Sequence, residues 1–242
     1  MCTVSFYSDS HKTIITSNRD ERKSRKLALP PSKKVWDEKV VYYPTDPEAN
    51  GTWFGVKANG SFLVLLNGAE KKHVPNPPYR KSRGLILVDL LTTDSFLETW
   101  KSIELEDIEP FTLIAFEKKE LFQFRWNGRL KTKIKLATHR PYIWSSSTLY
   151  DAQIIALREK WFFEFLKKHN FTISDSDLLH FHTDAQKTNH KNGLIINRDD
   201  EMLTKNVTQC VIEKEQFSIK HLDLIMNKKT VLKEKINEIV LT

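Results

Sequence analysis

Met1-Cys2-Thr3-Val4-Ser5-Phe6-Tyr7-Ser8-Asp9-Ser10-His11-Lys12-Thr13-Ile14-Ile15-Thr16-Ser17-Asn18-Arg19-Asp20-Glu21 is the stretch on which the reading of this chain turns. Two β-rich runs, residues 2–7 and 12–17, flank the polar turn Ser8-Asp9-Ser10-His11, the pattern of a hairpin. Removal of Met1 would leave Cys2 carrying both a thiol and a free α-amine. An α-amine titrates near roughly 7.7–8.0, so part of it is a base beside a nucleophile at neutral pH. One residue then supplies attacking group and proton acceptor, the N-terminal-nucleophile arrangement. The plainer alternative is a small buried hydrophobe at position 2. In a hairpin the second strand ends beside the start of the first. Asn18-Arg19-Asp20-Glu21 would therefore bring an amide, a guanidinium and carboxylates to the thiol, with Arg19 favouring thiolate or an anionic substrate. The alternative is a solvated turn.

Composition narrows the class. The 242 residues are 40% hydrophobic and 11% aromatic, enough for a well-filled core, and are read as one domain over residues 1–242. No apolar run approaches membrane-spanning length, and the N-terminus lacks the pattern of a secretory signal. Cys2 and Cys210 cannot build a disulfide framework, so a reducing cytoplasm is expected, with Cys210 an inert buried thiol. The net charge of +7 is dispersed, and no nucleic-acid-binding motif accompanies it. Attraction of an anionic small molecule suits it better than nucleic acid.

Further along, Pro30-Pro31 reads as a break and residues 39–43 as a short strand. Strands over 52–57 and 61–66 follow, joined by Ala58-Asn59-Gly60. Residues 74–78 form a proline-rich loop. Ser82 is expected to cap a helix through 85–91 and Asp94 a second through Trp100. Residues 111–116, 120–126 and 129–137 read as a three-stranded meander with Asn127-Gly128 at its second turn. Thr148 with Asp151 reads as a capping box before a helix to about His169, and Ser174 with Asp177 as another cap. The tail shows strands near 193–196 and 207–213, then weakly patterned Lys-rich sequence. Antiparallel strands with helices gathered in a few places make an α+β layered domain.

Asn67 ends the apolar run Phe62-Leu63-Val64-Leu65-Leu66. It must brace a turn or aim its amide into a site, where one oxyanion donor contributes roughly 3 kcal/mol. His73, Arg80 and Arg83 could line the mouth of such a site, or lie on the surface. His180, His182 and His190 lack metal-ligand spacing, so no metal is expected, and nothing calls for a cofactor. Trp53, Trp126, Trp144 and Trp161 read as core aromatics.

Cys2, Asn18-Arg19-Asp20-Glu21, Pro44-x-Asp46, Gly51-Thr52-Trp53, Leu65-Leu66-Asn67-Gly68 and Ser82-Arg83-Gly84, in this order, resemble the NRDE family, that of transport and Golgi organisation protein 2. The match is dense over residues 1–92 and looser beyond. The resemblance implies a four-layer αββα sandwich of the N-terminal nucleophile hydrolase type, its sheets mostly antiparallel. A more distant similarity is to bile salt hydrolases and penicillin acylases, whose cysteine after the initiator methionine attacks a linear amide. Cys2 then matches the nucleophile and Asn67 the oxyanion asparagine. Aligned without a gap, Asn18 falls on an arginine and Glu21 on an aspartate, with Arg19 or Asn18 orienting substrate. Asp20, His73, Arg80, Arg83 and Ser147 are expected on the substrate side. Two positions depart from those hydrolases: Ser146-Ser147 stands near a later asparagine, and Thr204 to Cys210 offers only Lys205 where an arginine is common. The expected function is hydrolysis or acyl transfer at a linear amide through Cys2. The alternative is a binding or trafficking protein for haem or an acyl-CoA-like ligand, with peripheral membrane contact left open.

Overall fold

The computed structural model describes residues 3–236. Met1 and Cys2, and with them the expected nucleophile, lie outside the described residues. In chain order the elements are β1 (Thr3–Ser8), β2 (Lys12–Arg22), β3 (Leu29–Trp36), β4 (Lys39–Thr45), β5 (Phe54–Lys57), β6 (Phe62–Asn67), α1 (Arg83–Leu91) and α2 (Phe96–Ser102). Then come β7 (Phe111–Glu117), β8 (Glu120–Trp126), β9 (Lys131–Leu136), β10 (Tyr142–Ser145), α3 (Ala152–Lys168) and α4 (Asp175–Asp184). The chain closes with β11 (Asn197–Arg198), β12 (Met202–Glu213), β13 (Gln216–Asp223) and β14 (Lys228–Lys235).

The strands form two seven-stranded antiparallel sheets, one ordered β10-β1-β2-β12-β13-β14 with β11 beside β12, the other running β3 to β9 in sequence order. Their facing sides share one core, to which Val4, Phe6 and Ile15 contribute from the first sheet and Phe62, Val64 and Phe116 from the second. Helices α1 and α2 cover the outer face of the second sheet. Helices α3 and α4 cover the first over a smaller cluster that includes Tyr7, Ile14, Phe162 and Phe181. This is the αββα sandwich that the family resemblance implies.

Local chemistry explains most boundaries. The Asp9 carboxylate accepts from the backbone N–H groups of His11 and Lys12 at 2.8 and 3.0 Å, closing the first hairpin. Asn59 and Asn127 brace two later turns in the same way. Ser82 caps α1, and the reciprocal Ser174–Asp177 box caps α4.

Some expectations shift. Pro30-Pro31 does not break the chain but sits in β3, an edge strand that slips register between Leu29 and Ser32, where missing N–H donors cost nothing. Ser95, not Asp94, caps α2, for Asp94 turns outward to Lys39. Asp151 itself caps α3, accepting from Ile154, so Thr148 is not the cap. The Lys-rich tail is strand, not unpatterned chain. In β13 Phe217, Ile219 and His221 alternate inward, and β14 is a charged edge strand of the kind that resists further pairing.

Two glycines fix the place where the second sheet meets α1. A Cβ on Gly51 would come within 2.5 Å of the Gly84 carbonyl carbon and 2.8 Å of the Leu85 nitrogen. The approach lets Thr52 donate its N–H to the Gly84 carbonyl at 3.2 Å. Gly51-Thr52-Trp53 and Ser82-Arg83-Gly84 are thus two halves of one backbone contact. Gly51→Ala should lower stability by about 2 kcal/mol through overpacking, read as a fall in the urea midpoint. An unchanged midpoint would show that the contact yields freely.

Candidate active site

Strand β2 carries five consecutive buried polar residues, Thr16 to Asp20, and its alternation sorts them onto opposite sides. Ser17, Arg19 and Glu21 face the second sheet; Thr16, Asn18 and Asp20 face the helices. Arg19 is only 2% exposed, donates from Nη2 to Asp46 Oδ2 at 2.8 Å, and stacks 4.7 Å above the Trp53 ring. Glu21 lies 3.6 Å from the same guanidinium. Asp46 also accepts from Arg25 at 3.1 and 3.2 Å, while its Oδ1 accepts the backbone N–H groups of Glu48 and Ala49. Burial alone would raise the Asp46 pKa, but the Glu48 N–H and the two guanidiniums outweigh it and hold the carboxyl below its ordinary value.

These groups line a cavity of about 480 Å³. Its other walls include Trp53, Asn67, Lys81, Arg83 at the start of α1, and Glu109. Burial lowers the Arg83 pKa, against the opposing pull of Glu109 at 2.9 Å. The carboxamide of Asn67, at the end of β6, makes no hydrogen bond among the described residues. Asn67 also lines a second cavity of about 300 Å³ between β6, the Ser145–Ser147 turn and α3. Arg19 Nη1 and Trp53 Nε1 are buried without partners in the first cavity's wall.

The expected site residues therefore divide. Arg19, Glu21, Asn67 and Arg83 meet at one cavity. Asn18 does not: it is wholly buried on the helix side, its Nδ2 donating to the carbonyls of His182 and Leu194 at 3.1 and 2.7 Å. With Nδ2 so committed, Asn18 Oδ1 accepts from His182 Nδ1, and His182 Nε2 accepts from the Ser5 hydroxyl, both at 2.6 Å. This Ser–His–Asn chain has the order of a catalytic relay, yet all three members are 0% exposed and no substrate can reach it. It welds α4 to β1 and β2. Asp20 likewise faces away, accepting from Tyr150 and Thr204 at 2.8 and 2.6 Å. His73 stands behind the cavity, 3.1 Å from Glu109. Arg80 is spent on the carbonyls of Glu104 and Glu106. Ser147 lines the second cavity, not the first, while Ser146 donates to the Asn67 carbonyl at 2.7 Å.

Sequence reasoning passed over Arg25 and Lys81 and took Trp53 for plain core. Spacing carries no signal for them, since each reaches the cavity from a different loop. Lys205 occupies a bulge in β12 and donates to the carbonyls of Lys23 and Arg25, holding the segment that carries Arg25. Cys210 is wholly buried, which pushes its thiol pKa up. Among the described residues no cluster of His, Cys, Asp and Glu is placed to hold a metal ion. Nor is any helix among them long and apolar enough to cross a membrane.

Comparison with known proteins fits this geometry. The sequence profile of the family described as Transport and Golgi organisation 2 matches residues 1–234. No curated protein matches the chain. Among solved structures, the N-acylethanolamine-hydrolyzing acid amidase ortholog of Caenorhabditis elegans is similar with a TM-score of 0.61 at 13% identity, over 86% of this chain and 92% of that one. Two variants of the conjugated bile acid hydrolase from Clostridium perfringens give TM-scores of 0.54 and 0.51 at 10% identity, each over 98% of both chains. These likenesses establish the N-terminal nucleophile hydrolase fold.

Two buried histidines make stability pH-dependent. Burial, with Arg158 nearby, lowers the His182 pKa from 6.5 to about 3, and burial lowers that of His221 to about 4. A depressed folded-state value means that the unfolded chain binds protons first. Their contribution is therefore complete above pH 6.5 and is lost as the pH falls through about 4 and then about 3. Urea midpoints should decline below pH 6.5, the unfolding free energy falling by on the order of 1 kcal/mol per pH unit for each histidine, and His221→Gln should flatten the decline. A profile level down to pH 4 would contradict this.

Proposed function

The chain belongs to the Transport and Golgi organisation 2 family, and from that membership and the cavity at Arg19, Glu21 and Asn67 we propose that it hydrolyses, or transfers the acyl group of, a linear amide through Cys2. The observation that carries the reading is the unpartnered Asn67 carboxamide at the edge of a cavity that also holds a buried guanidinium. Alternation in β1 sends Val4 and Phe6 between the sheets, and register pairs Thr3 with Asn18. The reading requires a thiol one step before Thr3, on the Val4 side and opposite Arg19. There Arg19 favours thiolate, Asn67 donates to the developing oxyanion, and the α-amine freed by loss of Met1 moves the proton.

The chemistry balances. The sulfur adds to the carbonyl carbon, the C–N bond breaks as the amine takes a proton, and water or another nucleophile then displaces the sulfur from the thioester. The hydrolases with similar folds and the family match over residues 1–234 support the fold side of this reading.

A second reading rests on the cationic wall of Arg19, Arg25, Lys81 and Arg83, which suits carboxylates or phosphates of haem or an acyl-CoA-like ligand held without turnover. Visible-spectrum titration with haem and thermal shift with acyl-CoA test it.

Intact mass should show loss of Met1, and Cys2→Ala should abolish turnover of a panel of N-acyl amides. Asn67→Ala should lower kcat by about 10²–10³-fold while the protein stays folded. A retained Met1, or a Cys2→Ala protein as active as the parent, overturns the amidase reading.

A further inference from the structure

The two cavities that meet at Asn67 differ in character. On one side, four cations (Arg19, Arg25, Lys81, Arg83) face three carboxylates (Glu21, Asp46, Glu109). The carboxylates are engaged: Asp46 by Arg19 and Arg25, Glu109 by Arg83 and His73, while Glu21 lies beside Arg19. What remains unanswered are donors, Arg19 Nη1 and Trp53 Nε1, both on residues more than nine-tenths buried. The start of α1 at Ser82–Gly84 adds its positive end to the same wall. A wall of unanswered donors wants an acceptor-rich anion, and a carboxylate fits two such N–H groups.

On the other side of Asn67 the wall carries Trp144, Ile155 and Ala156 along α3 and β10, with Glu70, Arg125 and Glu159 at its polar margin. This cavity shares Ile143 and Glu159 with a third, of about 440 Å³, lined by Phe162, Phe163, Leu166 and Phe171 along α3. Phe163 and Phe171 are 56% and 47% exposed and pack edge to face, so the apolar groove along α3 opens to solvent there. Two cavities that border each other at Ile143 suit a long, thin apolar group better than a compact one.

Resting on the amidase reading, we propose that the substrate is a long-chain N-acyl amino acid. Its carboxylate lies against Arg19 and Trp53, its amide carbonyl at Asn67, and its acyl chain runs past Ile143 into the groove of α3. Cleavage then releases a fatty acid and an amino acid, with water supplying hydroxyl to the acyl carbon and a proton to the leaving nitrogen.

N-dodecanoylglycine, N-acetylglycine and N-dodecanoylethanolamine separate the two ends, since the second lacks the chain and the third the carboxylate. Calorimetric titration of the Cys2→Ala protein should show N-dodecanoylglycine binding at least about tenfold tighter than either. Ala156→Trp, at an exposed position on α3, should remove most of the advantage over N-acetylglycine while leaving N-acetylglycine unaffected. Equal affinities for the three ligands, or an Ala156→Trp protein that keeps the full preference, would overturn the inference. Turnover separates the two ideas. Hydrolysis of amides with no such preference sinks the substrate class alone, whereas selective binding without hydrolysis by the Cys2 protein sinks the amidase reading alone.

Discussion

The buried ion pair between Arg19 and Asp46 holds the site together. Arg19 comes from β2 in the first sheet, and Asp46 from the connection that follows β4 in the second. Their 2.8 Å contact, with Trp53 beneath the guanidinium, ties the sheets at the point where the cavity opens. Removing one partner of such a pair leaves a charge stranded in low dielectric, at a cost of about 3–5 kcal/mol. Asp46 is itself fixed by the backbone N–H groups it caps and by Arg25, which Lys205 positions through the adjacent carbonyls. The guanidinium is thus preorganised, with Nη1 unanswered in the cavity wall.

The opposite face of β2 carries a polar network of equal density and different consequence. Ser5, His182 and Asn18 satisfy one another completely, and Arg158 reaches Thr3 at 2.5 Å and the carbonyl of Asn192 at 3.1 Å. Satisfied and sealed, these groups join the helical layer to the sheet but meet no solvent. Accessibility, rather than residue type, separates the two faces: each holds a nucleophile-like or cationic constellation, and only one borders open space.

Local features were legible in the sequence because local chemistry makes them. The Asp9 turn, the Asn-Gly turn at Asn127, the Ser82 cap and the Ser174–Asp177 box each close within about four residues. Pro30-Pro31 misled because an edge strand tolerates what a central strand cannot. β14 misled because an edge strand selected for charge loses the apolar alternation that announces a strand. Neither property can be known before the order of the sheet is known.

By itself, the sequence determined the first hairpin, an antiparallel α+β architecture, the caps of α1 and α4 and a set of motifs ordered as in one family. It could not determine which of Asn18, Arg19, Asp20 and Glu21 turn toward the cavity. Apolar alternation marks the inner face of a strand, but residues 16–20 are all polar and all buried, so the pattern is silent there. Only the packing of α4 on one side and of the second sheet on the other sends Asn18 to His182 and Arg19 to Asp46. A period of two fixes that neighbours point apart, and only tertiary contact fixes which one points where.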